Sequence, residues 1–403
     1  MQKKIYSTLF IISLPALLMA QIAIKAKVIH TASGSPLRDG VILVKDGKIE
    51  KVGTATSITI PANYTIHESE VVTPGLIDAR TVIGMSGVLN ISTDQDQLEK
   101  SSPIQPDLRA IDAYNPDETL VKVAREYGVT TIHTGHGIGA LVSGQTMIAK
   151  TKKGTVESVT LQPLSMIAMT LGPSVSGNFS SPGTKAKQMA MIRTELLKAQ
   201  AHLKKLNDKD SSKRPSPDLK MDALAKLLSG EVKGMITANK STDIMNAIRL
   251  AKEFKFKLVI DGAAESYRLI DEIKNAKAEI ILHATMTPGE EDKVNLSRET
   301  ALILTNAGIS VSIESGFEPY VPKTRIVLFE AAIAMASGLP YDEALKSITI
   351  NPAKLLGIDK KVGSIEPGKD ADLVLYNGDP FEYVTNVCKV FIDGILVSDK
   401  CGR

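Results

Sequence analysis

The chain has 403 residues, 43% of them hydrophobic, 23% charged and 4% aromatic, with a formal net charge of +3 at pH 7. That composition excludes wholesale disorder, and so small a net charge leaves no footprint for nucleic acid. Two cysteines are too few for a disulfide scaffold or a cysteine-built zinc module, so any imidazole metal centre must come from six histidines.

Residues 1–20 read as a signal peptide. Lys3 and Lys4 precede an apolar run from Ile5 to Ala20, about sixteen residues against the roughly 20 that span a bilayer. Leu18-Met19-Ala20 offers a cleavage site before Gln21. Export to a periplasmic or extracellular, oxidising compartment follows, with no membrane span after cleavage and a mature charge of about +1.

Past the signal, Val41–Val44 and Ile49–Val52 alternate like strands around an Asp46-Gly47 turn. A second strand-rich block, Ala371–Tyr376 and Val390–Val397, lies near the other end. Between the blocks, helical patterns cover 119–127, 186–206, 219–228, 242–254, 265–275, 297–306 and 324–337. Short apolar runs separate them at 129–132, 164–169, 235–238, 258–260, 279–282 and 309–313. This alternation predicts an α/β fold with a parallel sheet, most economically a (β/α)8 TIM barrel, and a small β domain drawn from both termini. Ser92–Asp117 and Asp208–Asp218 read as long loops. Gly135–Gly144 lacks phosphate-loop spacing and reads as a strand–loop segment. Cys388 and Cys401 flank a second turn, Asp393-Gly394, which would bring them near each other; a disulfide and two free thiols both stay open.

Three stretches carry a family resemblance. VVTPGLIDA (71–79) is similar to the entry into barrel strand one of the amidohydrolase superfamily, its imidazolonepropionase-like members above all. VKDGKIEKVG (44–53) resembles the N-terminal hairpin of that family, and ITINPAKLLGI (348–358) with VGSIEPGKDADLVLYNGDP (362–380) its return to the β domain. The resemblance implies a distorted barrel over 73–354 with a β-sandwich from 21–72 and 355–403. It also implies hydrolysis of peptide-like or non-peptide C–N bonds, assisted by one or two divalent ions such as zinc.

Carried over position by position, the resemblance puts the expected ligands on residues that cannot serve. Arg80 and Val82 stand where strand one should end in a His-x-His pair, and a guanidinium has no free lone pair. The strand-four ligand falls on Ala168, the strand-five ligand on Thr237 and the strand-six ligand on Gly262 beside Asp261. The strand-eight acid falls on Gly316, with Glu314 as the alternative register. No cofactor is therefore expected from the residues, although the family expectation is a divalent metal. His133 and His136 are the remaining metal candidates, set against a reading as loop residues that cap backbone groups. His30 and His67 belong to the terminal β region, and His202, flanked by Lys198 and Lys205, reads as a solvated helix face. Arg80, Asp261, His283 and Glu314 are the catalytic candidates at the barrel mouth. An Arg80–Glu314 ion pair is expected in the metal's place, with Asp261 as the other partner. Two functions remain: an exported hydrolase of C–N bonds that needs noncanonical metal or none, and an inactive barrel binding a small molecule or protein partner.

Overall fold

A computed structural model describes residues 21–401, apart from residue 90 and segments 284–290 and 318–325. The expected signal segment lies outside the described residues. Among the described residues no helix is long and apolar enough to cross a membrane.

The strands, in chain order, are β1 (Ile22–Ile29), β2 (Leu37–Lys45), β3 (Lys48–Thr54), β4 (Thr65–Pro74), β5 (Leu76–Thr81), β6 (Val129–Thr134), β7 (Val142–Gln145), β8 (Met147–Lys150), β9 (Thr160–Gln162), β10 (Met166–Thr170), β11 (Lys233–Ala238), β12 (Leu258–Gly262), β13 (Glu279–Leu282), β14 (Val311–Ile313), β15 (Leu373–Tyr376), β16 (Val387–Ile392) and β17 (Ile395–Asp399). β1–β4 and β15–β17 form one sheet from the two ends of the chain, ordered β17-β16-β15-β4-β1-β2-β3. Its two tight hairpins turn at Asp46-Gly47 and Asp393-Gly394, where all four residues have positive φ, the conformation that a two-residue turn with the strands' own twist demands. Cys388 on β16 and Cys401 just past β17 are joined as a disulfide, which resolves the open alternative.

The central strands are mixed α/β. β10 to β14 run parallel with helices between them, and β5 pairs parallel with β6. A parallel bridge from Thr81 to Gly316 brings the end of β5 beside the segment that leaves β14. The pattern is less regular than the alternation predicted. Between β6 and β10 the chain returns three times without a full helix: β8 and β9 pair antiparallel beside β6, and β7 lies antiparallel to β10. The short 142–162 strands escape a reading tuned to strand–helix alternation, because each is too brief to show a period of its own.

The helices follow local chemistry. Lys185–Leu206 starts where the Thr184 hydroxyl accepts from the Lys187 N–H, and Leu219–Ser229 where the Asp218 carboxylate accepts from Lys220 and Met221. The latter ends on Gly230 in the left-handed conformation. The two pack together, which buries His202 and lets its Nε2 pair with Asp222 Oδ1 at 2.7 Å. The solvated reading of His202 is thereby corrected: its flanking lysines face water while the imidazole turns inward.

The terminal sheet is fastened to the central strands by a buried charge. Lys150 at the end of β8 is 2% exposed and pairs with Asp370 (2.8 Å), Asp372 (3.1 Å) and Asp393. Lys48 closes on Asp370, and Lys152 on Asp393 at 2.8 Å. Burial alone would lower the Lys150 pKa, but Asp372, Asp393 and Asp370 outweigh it and hold the ammonium charged. Replacing Lys150 with Met leaves three inward carboxylates without their central cation. It should cost about 3–5 kcal/mol, read as a shift in the urea unfolding midpoint, whereas a change within error would show that the cluster is dispensable.

Candidate functional site

The residues at the ends of the central strands converge. Register sets Thr237 level with Asp261, Gly262 with Leu282, and Leu282 with Ile313, so the residues just beyond share one height. A cavity of ≈ 20 Å³, room for about one or two waters, is lined there by Arg80, Val82, Thr237, Asp261, Gly262, His283, Glu314 and Gly316, together with Ile138, Asn239, Lys293 and Phe317. All four predicted mouth residues are thus brought together.

Two glycines are required at this place. Gly262 has φ +79°, and a Cβ on it would lie 2.7 Å from Asn239 Oδ1. Gly316 has φ +68°, and its Cβ would collide with the His283 ring. The space that a side chain at either position would use is already occupied by a neighbour.

Arg80 is 4% exposed and turned inward, but the expected ion pair with Glu314 does not form. Its Nη1 donates to the Thr81 carbonyl at 2.7 Å and its Nη2 to the His136 carbonyl. Glu314 Oε1 instead meets His283 Nδ1 at 2.7 Å, and Asp261 Oδ2 accepts from the Thr237 hydroxyl. The alternative partner, Asp261, makes no ion pair with Arg80 either. Main-chain carbonyls take up the planar donors, while Asp261 and Glu314 sit close enough to influence each other's ionisation.

The guanidinium therefore acts through its field. Burial raises the pKa of Asp261, reinforced by Glu314, and raises that of Glu314; Arg80 opposes both shifts. Asp78, also wholly buried, is pushed up to about 7 by burial, against hydrogen bonds from the Ser315 hydroxyl, the Ser315 N–H (3.0 Å) and the Arg80 N–H (3.3 Å).

The two metal-candidate histidines do not converge. His133 lies on β6 rather than in a loop, and both ring nitrogens are committed: Nδ1 donates to the Ala79 carbonyl at 2.8 Å, and Nε2 accepts from the Thr146 hydroxyl at 2.6 Å. Burial, then Arg80, pulls it down to about 3. His136 is buried against Gly144, outside the cavity lining, and drops to about 4 for the same two reasons. Both imidazoles are neutral at pH 7. Ala168, on which the strand-four ligand position falls, packs in an apolar cluster with Met166, Met235 and Val259. The β10 residue level with Thr237 is Thr170, whose hydroxyl accepts from the Gly139 N–H at 3.1 Å. Among the described residues no group of three or more His, Cys, Asp or Glu is disposed to hold a metal ion.

Asn239, Lys293 and Asp78 were not singled out from the sequence. Asn239 follows β11 and Lys293 sits in a single 3₁₀ turn, Glu291–Lys293, neither with a motif around it. Asp78 was visible inside the VVTPGLIDA stretch, but only its burial reveals its role.

The amidohydrolase family model matches residues 71–397, most of the chain. The chain belongs to the amidohydrolase family. It is similar to an amidohydrolase from Thermotoga maritima, with 29% identity and a TM-score of 0.89, covering 94% of this chain and 100% of that one. It is 23% identical over 386 residues to an imidazolonepropionase from Rhizobium rhizogenes, covering 89% of this chain and 92% of the relative, and imidazolonepropionases of other species match it as well. It is an imidazolonepropionase-like amidohydrolase. It is also 25% identical to "Amidohydrolase tasK" of Hapsidospora irregularis over 89% of its own length, but spans only 40% of that relative.

Asp78 supplies a pH test for this amidohydrolase. Its folded pKa, about 7, lies above its ordinary 3.8, so the folded state holds a proton that the unfolded chain has released across that window. Its contribution to stability falls as pH rises from about 4 to 7 and stays low above. Asp78→Asn, which keeps the uncharged form, should be better tolerated relative to wild type at pH 8 than at pH 5, measured by thermal unfolding. An equal penalty at both pH values would refute the shift.

Proposed function

We propose that this is an exported amidohydrolase-family protein whose central site works without the family's divalent metal and binds a small ligand. The observation that carries this reading is Arg80. At the position the resemblance assigns to a strand-one ligand, a buried guanidinium with no lone pair lines the cavity and directs its donors at two carbonyls. The donor chemistry around it does not fit a zinc centre. His133 has no free nitrogen, and side chains at 262 and 316 would run into Asn239 and His283. No step is derived through a metal.

A distorted (β/α)8 barrel with a β-sandwich built from both termini is the architecture proposed. The parallel β10–β14 run and its Thr81–Gly316 bridge back to β5 support the barrel, and the single terminal sheet supports the satellite. Export is supported by Lys3 and Lys4 ahead of the apolar 5–20 run and by the Cys388–Cys401 disulfide, a bond suited to an oxidising compartment. A second reading, metal-free hydrolysis of a C–N bond, is favoured by one observation: the paired carboxyls of Asp261 and Glu314 beside His283 in the cavity.

Elemental analysis of the purified protein, with thermal unfolding in zinc and in chelator, tests the main reading. The expected outcome is no stoichiometric metal and an unfolding temperature indifferent to both. Zinc at a hundred times its Kd would add about 2.7 kcal/mol, so a clear rise in zinc that chelator reverses would overturn it.

A further inference from the structure

Three oxygens at the cavity have an acceptor's valence left over. Asn239 is 4% exposed, and its amide orientation is fixed because Nδ2 donates to Asp292 Oδ2 at 3.0 Å. Its Oδ1 has no partner among the described residues and lies over Gly262 in the cavity wall. Asp261 spends Oδ2 on Thr237, and Glu314 spends Oε1 on His283. Their other oxygens, Oδ1 and Oε2, are buried and have no partner among the described residues, although both side chains line the cavity. A buried carboxylate oxygen without a donor is costly, so each calls for one.

Charges of both signs lie nearby. Arg80 and Lys293 also line the cavity, two cations set against the carboxyls of Asp261, Glu314, Asp78 beside Arg80, and Asp292 on Asn239. Three oxygens around a space of ≈ 20 Å³ fall short of the six to eight that calcium takes, but they match the three N–H donors of a primary ammonium group. Val82, Ile138 and Phe317 supply apolar wall for the carbon that carries it.

We infer that the cavity receives the ammonium head of a small primary alkylamine, with Asn239 Oδ1, Asp261 Oδ1 and Glu314 Oε2 accepting its three N–H bonds. The inference rests on the reading that no divalent metal fills the site. It names the chemical class of the ligand for a cavity that the proposed function leaves open. Binding needs no chemistry, and the N–H geometry separates a primary amine from other monocations of equal charge.

The test uses the whole folded protein at pH 7 and constant ionic strength. Thermal unfolding and titration calorimetry are run with methylammonium, tetramethylammonium and potassium chlorides, and separately with zinc chloride. Methylammonium should raise the unfolding temperature and bind saturably, while tetramethylammonium, which has no N–H, and potassium should do neither. Asn239→Ala, which deletes one acceptor to a charged donor, should weaken methylammonium binding at least about tenfold. Should that variant lose its fold, Glu314→Gln takes its place with the same expectation. No methylammonium effect, an equal effect of tetramethylammonium or potassium, or an unchanged affinity in the folded variant would overturn the inference and leave the metal-free reading standing. Stabilisation by zinc that excludes methylammonium would overturn both.

Discussion

The molecule depends first on one buried ammonium group. Lys150 closes the strand that follows the irregular turn of the central sheet, and the three aspartates around it come from the opposite end of the chain. A lysine this enclosed is tolerated only with its charge answered on several sides. The answer here comes from Asp370 and Asp372 just before β15 and from Asp393 in the β16–β17 turn. The same carboxylates therefore fix both the register of the terminal sheet and its position on the central strands. Asp372 Oδ1 also accepts the Asp393 N–H at 2.9 Å, so the hairpin turn and the ion cluster are one construction.

The second buried cation is solved differently. Among the described residues Arg80 has no carboxylate in ion-pair contact; two main-chain carbonyls hold its donors, and its charge is felt by Asp78, Asp261 and Glu314. Lys150 makes a rigid joint because each carboxylate is pinned to it. Near Arg80, Asp261 and Glu314 each keep one oxygen without a partner among the described residues, which suits a place where something else is to be held. The contrast between a cation met directly by carboxylates and one held by main-chain carbonyls separates scaffold from site.

Much of this was legible in the chain. The hairpin turns announce themselves as Asp-Gly pairs, and the helix at 219–229 begins after its Asp cap, because these are local choices written in adjacent residues. The convergence of Arg80, Asp261, His283 and Glu314 on one cavity was legible at the strand ends, since strand period and parallel order carry side chains to a common height. Partner choice was not. Which acceptor Arg80 would take, whether His202 would turn inward, and that Asn239 and Lys293 would join the wall depend on packing between segments far apart in sequence. The β7–β9 excursion was invisible for a simpler reason: strands of three and four residues carry too little pattern.

The crowded glycines at 262 and 316 carry a consequence for substitution. A side chain introduced at 316 must contend with the His283 ring, and one at 262 with the Asn239 amide, each on a backbone whose φ disfavours any residue but glycine. Those pairs of positions are coupled, so neither glycine can change alone without a loss of stability before any gain of chemistry. Each must move together with its neighbour. The cavity wall is thus open to paired replacement and closed to single steps.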